Sequence, residues 1–420
     1  MSRIRILTVL LSGALLVGLP ALGTDCADPL GCIELAPDDA IVIGAMLTHS
    51  GANAFFGEDS QGGIELAIIA RGGELLGREI VLVVEDELCT AEGGQAAAQR
   101  LAADPTIVGI IGPSCSSAAQ GALPIISEAG MLTISPSNTS PALTNTDIET
   151  GGVWRPGYYR ITPNDRFQGE LAGQFAYHIL AGRTVATVHD GGTYSESLAS
   201  VMREVFVSLG GEVVFEGSLN VGDVDMSAIL TEVAVSRPDV LFAPLFPPEV
   251  EFITAQMSST PGMEGTILLV ADSALVNTYA PNTGEAALGV YVSGPHITGE
   301  DYEGLLKAWE EEFGGAPPSS FHAHAYDAIN IMMQAIEEVA EDVDDGSLLI
   351  GRQALRDAIS ALEAYPGLTG TLTCLDESPF AGDCGNAESL AIFAITDEVL
   401  YEGVWPPPAI WDLSGMPAEG

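Results

Sequence analysis

Lysine is almost missing from this chain: Lys307 is the only one in 420 residues, and Lys and Arg together number 14 against 58 Asp and Glu, a formal net charge of −44. That balance excludes a reader of nucleic-acid backbones, which needs clustered basic side chains to release counterions. So acidic a surface with so little lysine reads as adaptation to high salt, where screening relieves self-repulsion, or as plain solubility. Other absences narrow the chemistry. Cys-x₂-Cys spacing occurs nowhere, which argues against a zinc site. Neither G-x-x-x-x-G-K nor G-x-G-x-x-G follows an apolar run, so no nucleotide loop is expected. No G-x-S-x-G elbow marks a nucleophile. His322 and His324 stand two apart, where helical side chains diverge, and no acidic or thiol cluster accompanies them, so a structural role is expected. No cofactor, metal or enzymatic activity is expected. Beyond the first twenty or so residues, no run reaches the ~18–20 apolar positions that a membrane-crossing helix needs.

What is present begins with Arg3 and Arg5, the apolar run Ile6 to Pro20 and then "ALG", which together read as a secretory signal over residues 1–23. Cleavage after Gly23 would leave an extracytoplasmic protein; a lipid anchor at Cys26 is the less favoured alternative, because Asp25 stands where a small residue is wanted. Export makes the six cysteines candidates for disulfides. Their spacing favours the pairs Cys26 with Cys32, Cys89 with Cys115, and Cys374 with Cys384, among the 15 pairings that six cysteines allow.

The remaining length implies two lobes. Near-continuous Val/Ile/Leu runs alternate with helical segments: "IVIGAML" before "IELAIIA", "IVLVVED" before "GGQAAAQRLAA", "IVGIIGP" before "SAAQGALPIISEAG", "TVATVHD" before "ESLASVMREVFVSLG", and "DVLFAPLF" before "EVEFITAQMS". Such alternation predicts an α/β fold of doubly wound parallel sheets, whose ligands bind beyond the carboxyl ends of the strands. Ser116 and Ser117 follow one such strand, and Ser137 and Thr139 follow the next. Hydroxyls and free N–H groups there suit a carboxylate, and they serve equally as helix and turn caps.

The run from Val84 to Thr144, with an acidic strand end, a Cys just after it, "GPSCSS" and "ISPSNTSPALT", resembles the leucine/isoleucine/valine-binding proteins, the type I periplasmic receptors of ABC importers. "YYRITPNDRFQG", "HDGGTYSESL", "FPPE" and "AYDAI" agree with it. The resemblance implies two lobes joined by a three-crossover hinge, with residues 40–157 and 276–388 in lobe one and 158–275 and 389–412 in lobe two. It assigns Ser116 and Thr139 to a ligand α-carboxylate, Ser137 to a backbone contact nearby, Tyr194 to closing over the ligand, and Glu249 to the α-ammonium. Glu249 is otherwise read as a solvated acid at a helix start. Phe56 stands where the family often carries Trp or Tyr. The implied function is capture of an amino acid, branched-chain or related, by a monomer that hands it to a membrane permease; a sensor of amides, urea or small carboxylates is the alternative.

Overall fold

The computed structural model describes residues 26–374 and 380–415. The proposed signal segment, residues 1–23, lies outside them. Strand Ile41–Leu47 sits inside a six-stranded sheet, between Arg78–Asp86 and Ile107–Ile111; Thr133–Ser135 and Tyr158–Arg160 extend it, and Glu74–Leu75 closes the far edge. All neighbours from 41 to 160 pair parallel, apart from that edge strand. The run of aliphatic residues has its expected cause. Ile41, Ile43, Ala45 and Leu47 pack under Ile329, Met332 and Ile336, while Met46, Ile107 and Ile110 face Ala97, Leu101 and Ile126. Both faces are therefore dry.

A seven-stranded sheet forms the second lobe in the order Ala409–Trp411, Leu390–Ala394, Tyr291–Pro295, Ile267–Val270, Val240–Ala243, Thr184–His189, Glu212–Ser218. Its first two strands run antiparallel to their neighbours and the rest are parallel. Helices α1 (Phe55–Ala70), α2 (Ala91–Ala102) and α3 (Ser116–Glu128) belong to the first sheet. Helices α4 (Asp165–Gln174), α5 (Thr193–Ser208), α6 (Ser227–Ser236), α7 (Glu249–Met257) and α8 (Tyr279–Thr283) belong to the second. The chain then returns to the first lobe as α9 (Glu300–Phe313) and α10 (His322–Val339), and crosses a third time before residue 390. The sequence-derived limit at 276 is corrected here: strand Tyr291–Pro295 hydrogen-bonds to Leu269 and Val270, so residues 276–295 lie with the second sheet. Tyr158–Arg160 likewise stays in the first.

Helix α3, whose first turn faces the cleft, is placed by glycine. A Cβ at Gly94 would collide with the Ala118 carbonyl, and one at Gly121 with that of Ala91, so α2 and α3 approach backbone to backbone. All three expected disulfides are formed. The Cys26 sulfur is bonded to Cys32. No described helix is long and apolar enough to cross a membrane. Few cations offset the charge: five Lys or Arg ion pairs form among the described residues. Raising sodium chloride from about 0.2 to 2 M should then raise stability beyond ordinary screening; a gain of ~2 kcal/mol would lift Tm by ~2–3 °C. A flat melting temperature across that range would remove the high-salt reading.

Candidate functional site

Strand order reverses beside Ile41–Leu47 in one sheet and beside Thr184–His189 in the other, and a doubly wound sheet binds its ligands at such points. The loops that leave these strands and their neighbours face each other. Ser50–Asn53 and Cys115–Ser117 from the first lobe, with Asp190, Gly192 and Phe246–Glu249 from the second, enclose a chamber of about 420 Å³. An inner cavity of about 20 Å³ adjoins it, sharing Cys115, Ser116, Tyr194 and Phe246. The lobes touch across it: Ser197 Oγ donates to Ser140 Oγ at 3.1 Å, Thr193 N to Ser117 Oγ at 3.3 Å, and Phe56 meets Phe246 edge-on at 5.8 Å.

The seven sequence-predicted residues divide between the compartments. Ser116 and Tyr194 line both; Ser117 and Glu249 line the outer chamber; Ser137, Thr139 and Phe56 line the inner cavity. Their hydroxyls differ in what they have left to give. Ser116 Oγ accepts the N–H groups of Thr139 at 3.3 Å and Ser140 at 3.2 Å, which leaves its own proton to donate. Thr139 Oγ1 is buried without a well-formed partner. Ser137 donates its hydroxyl to Ser114 O at 3.0 Å and its N–H to Ser135 Oγ at 3.3 Å, the work of a turn brace. Tyr194 OH donates to Asp272 Oδ1 at 2.5 Å, so its ring is what the cleft meets.

Acidic groups gather on the second-lobe side. Glu249 is 4 % exposed, which rules out a solvated helix-start acid. Its Oε1 accepts the Gly222 N–H at 2.5 Å, and among the described residues it forms no ion pair. Asp190 lies close enough to feel it: burial first, then the Glu249 charge, push the Asp190 carboxyl above its ordinary value. At the cleft floor Asp272 accepts from Gln168 Nε2 at 2.7 Å as well as from Tyr194. Asp165, at the start of α4, has no well-formed side-chain hydrogen bond. Burial raises both carboxyls, and Asp272 raises Asp165 further, against opposing effects from Thr139 and Arg160. Arg160 is fully buried and clamps this floor, pairing with Asp383 at 2.5 Å and donating to Ser140 O at 2.8 Å. Asp272, Asp165, Asp190, Phe246 and Phe321 went unread in the sequence. Asp190 alone carried a signal, as the acid closing the "TVATVHD" strand.

Glu87 underlies the α3 N-terminus. It is fully buried and accepts from Thr48 Oγ1 at 2.8 Å, Cys115 N at 2.8 Å and Ser114 N at 3.1 Å. Burial outweighs these donors and pushes its carboxyl from 4.5 up to about 8. The folded state then holds a proton that the unfolded chain releases, so this contribution to stability is present below about 4.5 and is lost as pH rises to about 8. Denaturant unfolding at pH steps across that window should show stability falling with pH, on the order of 1 kcal/mol per unit, and Glu87→Gln should flatten the slope. An equal slope in both proteins would refute it.

His322 and His324 are both buried and structural in their surroundings. His322 Nδ1 lies 3.1 Å from Asp59 and its Nε2 3.1 Å from Tyr302 OH. Burial, then the neighbouring His322, push His324 down to about 3. No group of three metal-ligating side chains occurs among the described residues.

The chain is similar to a set of known proteins. The family described as periplasmic binding protein matches residues 40–383. An amino acid binding protein of Pseudomonas aeruginosa is 29% identical over 304 residues, 70% of this chain and 78% of that one. A Leu/Ile/Val-binding protein of Rhizobium johnstonii is 24% identical over 351 residues, 82% of this chain and 92% of the other. Among solved structures, a leucine binding protein from Thermotoga maritima superposes with a TM-score of 0.74 at 23% identity, covering 85% of this chain and 96% of that chain. A solute binding protein from R. palustris in complex with benzoate gives 0.71 at 20% identity, covering 85% and 94%.

Proposed function

The chain belongs to the periplasmic binding protein family, and from that membership we propose that it is an extracytoplasmic monomer that captures an amino acid, branched-chain or related, between its lobes and delivers it to the membrane permease of an ABC importer. One observation carries the reading: among the described residues Glu249 is a buried carboxylate with a single hydrogen bond, beside a second carboxylate and without a cation. A buried charge is costly unless paired, and a ligand ammonium supplies the missing partner. At the opposite wall, the first turn of α3 with Ser116, and Thr139 beyond it, offer donors to a carboxylate. An α-amino acid has both ends. The work is capture by lobe closure, not turnover.

A second reading, capture of an aromatic or small carboxylate for import or sensing, is favoured by the three rings of Phe56, Phe246 and Phe321 around the inner cavity. A thermal-shift screen separates the two, since a ligand at 100 times its Kd adds ~2.7 kcal/mol to folded stability. Amino acids are expected to raise Tm. Shifts from benzoates and desamino acids with none from any amino acid would overturn the first reading in favour of the second.

A further inference from the structure

A separate cavity of about 370 Å³ lies behind one wall of the cleft. Two segments form that wall. Asp272, Ser273 and Phe321 line the inner cleft cavity, while their chain neighbours Leu275, Ser320 and His322 line this one. Its volume falls within the ~300–1,000 Å³ of small-molecule sites. Both lobes build it. Leu275 and Phe393 belong to the second-lobe core, against which Trp405 packs; Tyr302 packs on the first-lobe cluster of Leu305 and Trp309. Trp405 Nε1 donates to Pro317 O at 3.0 Å, and Tyr302 OH meets His322 Nε2 at 3.1 Å, so both aromatic walls are fixed. Among the described residues no Lys or Arg lines the cavity, while Glu310, exposed on α9, does. The ring of His296, also in the wall, has its pKa lowered by burial, against the opposing charge of Asp412.

We propose that this cavity is a second ligand site, for a small aromatic amine whose ring packs among Tyr302, Phe393 and Trp405 and whose ammonium pairs with Glu310. A cavity lined by aromatic rings with one carboxylate at its wall suits an aromatic ammonium ion, the ring by packing and the ammonium by direct charge pairing. An anion of the same shape would face Glu310 and a chain of net charge −44. Because the walls come from both lobes, the occupant bridges them without entering the cleft. The probes are tryptamine, indole and indole-3-acetate, which share a ring and differ in charge, titrated calorimetrically into the full chain. Tryptamine is expected to bind about tenfold or more tighter than indole-3-acetate, and Glu310→Gln should erase that preference. Leu306→Trp, which fills the cavity, should remove binding of tryptamine and indole alike. Equal affinity for tryptamine and indole-3-acetate overturns the proposal, as does tryptamine affinity unchanged in a Leu306→Trp protein that melts like wild type, since the ligand would then sit elsewhere. Should Leu306→Trp fail to fold, the exposed Glu310→Gln decides alone: an undiminished preference for tryptamine in that variant overturns the proposal.

Discussion

Glu249→Gln is expected to weaken an amino-acid ligand by ~2–5 kcal/mol, the usual cost of breaking a desolvated charge pair, while its desamino analogue loses almost nothing. The asymmetry follows from the position of the side chain. Glutamine keeps an oxygen that can still accept from Gly222 N–H, so the loop it holds should stay in place. What vanishes is the negative charge, which attracts only the ammonium end of the ligand. Ser116→Ala combined with Thr139→Val should instead weaken both ligands alike, because the carboxylate is common to them. Calorimetric titration of wild type and both variants, with an amino acid that binds and its desamino analogue, makes the comparison. If Glu249→Gln leaves amino-acid affinity within about threefold, well under the ~1.4 kcal/mol that marks tenfold, another carboxylate receives the ammonium. Asp190 would be the next to replace, since it shares the chamber.

The sheets were legible in the sequence because strands buried on both faces must be aliphatic throughout, as Ile41–Leu47 and Ile107–Ile111 are. The hydroxyl-rich turns were legible for a related reason: they follow such strands directly. Less visible was what each hydroxyl does: Ser116, at the start of α3, accepts two backbone N–H groups, while Ser137 gives its proton to Ser114 O. Asp272 escaped notice because its segment, "VADSALVN", has no glycine-rich loop; the strand order of the second sheet brings it to the cleft. Asp165 and Arg160 were hidden by distance along the chain, since Arg160 meets Asp383 across 223 residues. The lobe limit at 276 missed for the same reason: a strand at 291–295 shows its sheet only through its partners.

Replacing Cys89 and Cys115 together by Ala should cost ~3.5 kcal/mol, from the chain entropy restored to a loop of 26 residues. The same relation gives ~2.7 kcal/mol for Cys374 and Cys384, separated by 10, and ~2.2 kcal/mol for Cys26 and Cys32, separated by 6. Denaturant unfolding of the three double variants should therefore rank them in that order. The Cys89–Cys115 bridge should also stand apart in function. Cys115 caps α3 and gives its N–H to Glu87, so the bridge fixes the turn from which Ser116 faces the cleft. Losing it frees the loop after Asp86 and the first turn of α3 together, and the ordering cost then falls on ligand capture as well as on folding. Ligand affinity should drop in this variant and hold in the Cys26/Cys32 variant, whose bridge lines neither cavity. A Cys89/Cys115 variant that unfolds within about 1 kcal/mol of wild type would mean that Glu87 and the α2–α3 backbone contact already hold the turn.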